Sequence, residues 1–416
     1  MKSTRPTIVI VGSGLSLSMC AAYLVEKLHY LNPVCIGVCV PSREQEADLA
    51  FAFPPFSEPL APILRSQMAE ASLSNISILS PASPAGFAFN FGLYGVASGA
   101  ITFPHAYEIC RQHTANMPAY DSFLGVQPSP SPGILYSRQL LAPDFRQAAV
   151  RNKVPFVPTK IVNVTLADGG EKILAITTSS GQRITGDYFI DCSPDGVVMQ
   201  HLQKRIPIEK NTVPSWNLVR SHEAAMGIKP SYQLKLDQTR VECVGEIGGK
   251  RYVNAYDFSG GIQSGEYFER PWLGNCITLG QGFLQLPELL IDLDRVLERQ
   301  LTVLSWLLGV NGDTTYASQY FNRASMRQLN EAIDTVNLLL QAVSANRPGL
   351  TESNQHRVNL FRSSANTVKE DNLLISESGW TGLLHAVGFI PKNTNAVSMA
   401  TDPKRIVELT KSLLMR

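Results

Sequence analysis

An α/β fold built on a parallel sheet is the fold class this sequence predicts, and three observations predict it. The first is TIVIVGSGLSLSMCAAYLVEKL (residues 7–28), where a β-branched run, a glycine turn and an apolar helix follow one another directly. The second is the alternation of apolar and polar residues between 156 and 193, cut by the turn sequences Asp168-Gly169-Gly170 and Ser179-Ser180-Gly181. The third is helical spacing from Leu289 through Ala342. At 416 residues the chain exceeds the usual size of a single core, so one large α/β unit with insertions, or two intimately joined domains, is expected.

Taken in order, residues 7–11 form the first strand, 12–14 a turn and 15–28 a helix. Lys2 and Arg5 before an apolar run also describe a secretory leader. The β-branched strand, the glycine turn and the charged end of the helix at Glu26 and Lys27 favour the structured reading, and with it a cytoplasmic location. No later stretch reaches the roughly 20 uncharged apolar residues that a membrane helix needs. Residues 33–40 read as a second buried strand. Residues 41–62 are rich in Pro and Phe and form a rigid irregular segment. GFAFNFGLYGVASG (86–99) suits a half-buried strand, and QPSPSPG (127–133) suits a loop between subdivisions. Residues 138–152 follow as an amphipathic helix. The alternating stretch from 156 is a meander that returns to a buried strand at 188–192, and strand-like alternation resumes over 240–258.

Composition narrows the function classes. Lys and Arg total 36 against 35 Asp and Glu, so no field attracts nucleic acid or an anionic membrane. The seven cysteines, Cys20, Cys35, Cys39, Cys110, Cys192, Cys243 and Cys276, are scattered through apolar surroundings and read as buried free thiols. Cys35 and Cys39 share one face of a strand, and no second Cys/His pair at ligand spacing appears, so no metal is expected. His105 and His113 carry no paired ligand and default to surface or satisfied histidines. No G-x-S-x-G motif supports a hydrolase triad.

The chemistry begins at Gly12, Ser13 and Gly14. A strand followed by Gly-x-Gly lets the backbone turn tightly and approach a pyrophosphate, while the next helix offers its free N–H groups to the anion. The third position of that motif, where a small residue lets the helix press on the strand, is Leu17, which is expected to hold the helix off. The acidic residue expected after the second strand is replaced by Val40, Pro41 and Ser42. A dinucleotide site and a purely structural βαβ unit both remain open on these residues.

Four further segments resemble the flavin-dependent tryptophan halogenase family. WLGNCITLGQGFLQLPE (272–288) is similar to the family's run against the isoalloxazine, and GDYFIDCSPDG (186–196) to its strand entering the flavin site. YFNRASMRQLNEAIDTVNLLLQA (320–342) resembles a late helix, and LFRSS with SESGWTGLLHAVGFIPKN (360–364 and 376–393) resembles the C-terminal segment. The resemblance implies an FAD-binding, Rossmann-like flavoprotein fold of the monooxygenase and halogenase kind, with a helical substrate-binding part. The flavin module would comprise residues 1–50, 131–200 and 270–300, and the substrate part 51–130, 201–269 and 301–416. FAD, reduced by a separate flavin reductase, would lie along Gly12, Ser13 and Gly14 and along Gly280, Gln281 and Gly282. A small aromatic molecule would be the substrate, a homodimer is an open assembly, and nucleic acid and membrane are not expected partners.

Several family residues are replaced. Alignment on Gly86 and Phe89 puts Pro84 at the family lysine, and no Lys occurs between Lys27 and Lys153. W-x-W-x-I-P is absent, since the tryptophans are Trp216, Trp272, Trp306 and Trp380. Pro54, Pro55, Phe56 and Ser57 stand in for the Gly-Glu-Ser/Ala-Thr turn, and Leu289 and Leu290 for the Ser/Thr turn at the halide. Glu288 matches the family glutamate. Buried alone in an apolar stretch it is expected to have a raised pKa and to serve as an acid or base, or else to be a helix N-terminal carboxylate acting through the dipole. The function expected is a flavin-dependent oxidoreductase on an aromatic or indole-like molecule, hydroxylating rather than halogenating. The alternative is a catalytically silent member that acts as a binding or scaffold partner.

Overall fold

The computed structural model describes residues 5–41, 50–53, 72–73, 76–80, 83–89, 96–98, 101–102, 133–225, 231–308, 314–343, 347–367, 374–375, 377–393, 402, 404 and 408. The β-branched run forms β1 (Thr7–Gly12), the apolar helix α1 (Gly14–Lys27) and the next apolar run β2 (Val34–Cys39). β3 (Ile76–Ser80) and β4 (Ser83–Phe89) follow, and β5 (Gly133–Ser137) leads without a break into α2 (Arg138–Arg151). Next come β6 (Phe156–Pro158) and the meander β7 (Ile161–Leu166), β8 (Ile173–Thr178) and β9 (Arg183–Ile184), which ends in β10 (Tyr188–Asp191). The remaining long strands are β11 (Asn217–Ala224), β12 (Ser231–Leu236), β13 (Arg240–Ile247) and β14 (Lys250–Asp257). After the short strands β15 (Trp272–Leu273) and β16 (Cys276–Thr278) come the helices α3 (Leu293–Leu307), α4 (Thr315–Leu340), α5 (Glu352–Ser364) and α6 (Glu377–Ala386).

Two six-stranded sheets organise these elements. One has the order β6-β2-β1-β10-β16-β15 and is parallel except at its last pair. The other has the order β11-β14-β13-β12-β3-β4, antiparallel except where β12 meets β3. Strands of a parallel sheet are covered on both faces, which is why β1 reads as a continuous apolar run. Ile8 and Ile10 face a core shared with Leu15, Met19 and Tyr23 of α1, Phe145 of α2 and Leu297 of α3, while Val9 and Val11 face the second core. Each such aliphatic side chain contributes about 1.5–3 kcal/mol on burial.

The structure redraws some predicted boundaries. Helical spacing began at Leu289, but α3 starts at Leu293, because Asp292 has extended backbone and its carboxylate accepts the Arg295 N–H. The alternation over 240–258 is a hairpin, turned by Gly248 and Gly249 at positive φ. The strand expected over 86–99 appears as β4 and the separate strand Val96–Ser98, with 90–95 outside the described residues.

A 3₁₀ turn, Gly280–Gly282, closes onto the end of β10. A Cβ on Gly282 would stand 2.4 Å from the Asp191 carbonyl oxygen, so only glycine allows this approach. Gly282→Ala is therefore expected to cost about 1–3 kcal/mol of unfolding free energy. Gly349→Ala, where a Cβ would meet nothing within 4 Å, should stay within about 0.5 kcal/mol. Urea denaturation of the two variants checks the contrast.

Candidate functional site

In the parallel sheet, β1 lies between β2, reached through α1, and β10, reached only after a long excursion of the chain. The strand order therefore reverses between β1 and β10, and the crevice beyond their carboxyl ends is where open α/β sheets take ligands. Gly12 and Gly14 stand on one side of it and Asp191 to Ser193 on the other. Gly14 has φ +48°, a left-handed conformation suited to glycine, and Ser13 before it is extended. The first turn of α1 holds no acidic residue of its own, although the Asp294 carboxylate of another element accepts from its Ser16 hydroxyl at 3.3 Å, and the free N–H groups of the turn carry positive potential.

Leu17 does not hold the helix off. It is buried in the core between α1 and β1, and the room for it comes from Gly12, where a Cβ would meet Cys192 Sγ at 2.7 Å and Leu17 Cβ at 3.3 Å. Gly12 is thus a packing residue as well as a turn residue.

Asp191 shapes the opposite wall. Its buried carboxylate accepts the Ser193 N–H and hydroxyl (3.1 and 2.5 Å) and the N–H groups of Val198 and Met199 (2.7 and 3.1 Å). Burial pushes its pKa up, against the pull of those donors. Arg205 joins this wall to the 3₁₀ turn, its Nη2 donating to the carbonyls of Pro194 (3.1 Å) and Gly282 (2.8 Å) while its guanidinium lies over Phe268. The Gly280 N–H donates to Gln300 Oε1 at 2.8 Å, which ties the same turn to α3.

Behind the crevice lies a buried ionic cluster. Arg138, at the start of α2, donates from Nε to Asp294 at 2.5 Å and from both Nη atoms to Glu288 at 2.5 and 3.0 Å. Asp294 also accepts from Tyr136 (3.2 Å) and from Ser16 (3.3 Å), which brings α1 into the cluster. Glu288 accepts the first N–H of α3, from Leu293, at 3.0 Å. The predicted raised pKa of Glu288 is therefore corrected. Burial alone would raise it, but the Arg138 guanidinium outweighs burial and holds the carboxyl below its ordinary range. The helix-terminal reading of Glu288 is the one this geometry matches. Asp292 behaves oppositely, because burial and the neighbouring Asp294 push it well up, and its Oδ2 has no partner among the described residues.

Of the predicted site residues, Gly12, Ser13 and Gly14 line the crevice, and Gly280, Gln281 and Gly282 form the turn on its far wall. Glu288 belongs to the ionic cluster instead. Pro84 lies in β4, the edge strand of the second sheet. Pro54, Pro55, Phe56, Ser57, His105, His113 and Cys110 fall outside the described residues. Cys20, Cys35, Cys192, Cys243 and Cys276 are buried free thiols and Cys39 is half-buried, with burial pushing Cys35 and Cys243 up to about 12. Among the described residues no His/Cys/Asp/Glu group could hold a metal ion, and no helix is long and apolar enough to cross a membrane. Sequence reasoning missed Arg138, Asp191, Arg205, Asp292 and Asp294. The usable signal was two aspartates inside the apolar run LLIDLDRVL (289–297), charges that need a buried partner.

Solved structures share this fold over the whole chain. A flavin-dependent halogenase from Xanthomonas campestris superposes with a TM-score of 0.86 at 16% identity, covering 99% of this chain and 94% of that one. A flavin-dependent halogenase from Brevundimonas sp. BAL3 gives 0.84 at 17% identity, covering 100% and 97%. A tryptophan 6-halogenase from Streptomyces toxytricini gives 0.81 at 14% identity, covering 99% and 96%. No family model matches the chain and no curated protein does. The fold class is α/β, built on a parallel sheet whose strand order reverses between β1 and β10. The particular fold is that of the flavin-dependent halogenases.

Two expected outcomes follow from the cluster. Arg138→Met leaves Glu288 and Asp294 buried without their cation, and a loss of about 3–5 kcal/mol in urea unfolding is expected. Asp292→Asn keeps an oxygen for the Arg295 N–H and removes a titration. Since the folded pKa of Asp292 is raised, its protonated form is favoured by folding and stability is lost as pH rises through that pKa. The variant should match the parent at acid pH and exceed it at neutral pH. A series of unfolding curves across pH checks this, and equal stability at both ends would contradict it.

Proposed function

We propose that the chain is a flavin-dependent oxidoreductase acting on a small aromatic molecule, and that it does not halogenate. The observation that carries the reading is the crevice between β1 and β10, with Gly14 left-handed and the acid-free start of α1 facing it. The residues present suit the phosphates of FAD. Ser13 and Gly14 turn their backbone toward the crevice, and the N-terminal N–H groups of α1 offer positive potential to an anion. Gly280, Gln281 and Gly282 would flank the ring end. When bound and reduced by a separate reductase, the flavin supplies the reaction with oxygen. The chain's residues place the cofactor and the substrate and exclude water.

Halide use is opposed by the start of α3. Its leading N–H groups are taken by the chain's own carboxylates, Glu288 on Leu293 and Asp292 on Arg295. A halide arriving there would meet carboxylates instead of open donors. Pro84 cannot supply the amine that the resemblance places near the substrate. The scaffold reading draws support from one feature: Val40 and Pro41 follow β2, so no carboxylate is offered there to a ribose.

Calorimetric titration with FAD tests the cofactor. Binding weaker than about 1 μM is expected, lost in Gly14→Val, where a branched residue cannot adopt the left-handed turn. Unchanged binding by the variant would make the glycine turn structural only, and a colourless protein that ignores FAD would favour the scaffold. With FAD, a flavin reductase, NADH, oxygen and chloride or bromide, no halogenated product from tryptophan, indole or simple phenols is expected. A halogen isotope pattern above a no-enzyme control in mass spectrometry would overturn that expectation.

A further inference from the structure

The first half of α4 carries a row of side chains that the fold leaves uncovered. Residues three and four apart on a helix share a face, and Tyr316, Tyr320, Arg323 and Arg327 succeed one another at steps of four, three and four. All four are exposed, Tyr316 at 80% and Tyr320 at 57%, while Phe321, Ser325 and Leu329 are buried. Among the described residues neither tyrosine makes a ring contact, and neither arginine makes an ion pair or lies over a ring. The two acids of α4 are buried further along it. Glu331 accepts the N–H groups of Leu374 and Ile375, and Asp334 accepts from Thr351 and Arg357.

The steps and the order of residue types together define what fits this row. Steps of four and three alternate along the seam of a coiled coil, and four-three-four is the same sequence from either end. When two copies of such a helix meet antiparallel about a two-fold axis, residue i faces j and j faces i. With the axis centred between positions 320 and 323, Tyr316 meets the partner's Arg327 and Tyr320 meets the partner's Arg323. A guanidinium over a tyrosine face is a favourable contact, so each of the four side chains gains a complement and no like charges meet. A parallel pairing would instead set arginine on arginine. A bilayer would find no aliphatic side chain in the row to enter its acyl region.

We infer that this row docks a second copy of the chain, α4 against α4, antiparallel and in that register. The inference goes beyond the flavin reading and uses no residue of the crevice. From Tyr316 to Arg327 the row is about 16 Å long, shorter than the contact of a permanent dimer. A reversible dimer with a dissociation constant on the order of 10–100 μM is therefore expected.

Sedimentation velocity of the full chain from about 5 to about 500 μM spans that constant and should show monomer giving way to dimer. Arg323→Glu with Arg327→Glu, and separately Tyr316→Lys with Tyr320→Lys, should each raise the dissociation constant about tenfold or more. Mixed, the two double variants should pair again, because the lysines of one face the glutamates of the other while the remaining tyrosines and arginines keep their contacts. All four positions are exposed, and circular dichroism checks that the variants fold. Should one not fold, Arg323→Gln alone should weaken the dimer about threefold or more. A chain that stays monomeric at the highest concentration, a dimer indifferent to these substitutions, or double variants that stay apart when mixed would each overturn the inference. A monomer that cosediments with phosphatidylglycerol vesicles would give the face to a membrane and overturn it as well.

Discussion

The bidentate grip of Arg138 on Glu288, with Asp294 held at the same guanidinium, is the contact on which the crevice depends. One side chain at the start of α2 fixes the loop before α3 and the first turn of α3. Through Asp294 and Ser16 it fixes α1 as well. The starts of three helices, α1, α2 and α3, are thus tied to one buried cation. A charge so far from water is held in its ionised form by its partners, since burial lowers its pKa and the carboxylates of Asp294 and Glu288 more than offset that.

This arrangement divides the two helix starts that border the crevice. At α3 two of the leading N–H groups, those of Leu293 and Arg295, are taken by Glu288 and Asp292. At α1 the first turn carries no acid and its N-cap Ser13 is extended, so the positive end remains directed at the crevice. The resemblance in sequence and the likeness of fold carry different weights here. The fold speaks for the crevice, and the side chains speak against the halide.

What was legible in the sequence was what periodicity and glycine encode. β1, α1 and β2 came from a β-branched run, a turn and an apolar helix because each is a local pattern with a local cause. The helix α2 and the meander were legible for the same reason. Glu288 was found by resemblance, but its protonation was misjudged, because its partner lies 150 residues away and no spacing rule links them. Leu17 was read as an obstacle because the motif assigns that position in isolation. The structure shows that space given up at Gly12 is taken by Leu17 and Cys192, a compensation across two elements. Arg205 was invisible, since a basic residue in a connecting segment is unremarkable until its partners are known.

The central claim is that the crevice between β1 and β10 receives a flavin, and a crystal structure of the chain grown with FAD addresses it most directly. Pyrophosphate density is expected against the backbone of Ser13 and Gly14 at the start of α1, with the ring system running toward Gly280, Gln281 and Gly282. Density for FAD elsewhere on the molecule, or a crevice filled only by water at saturating FAD, would contradict it.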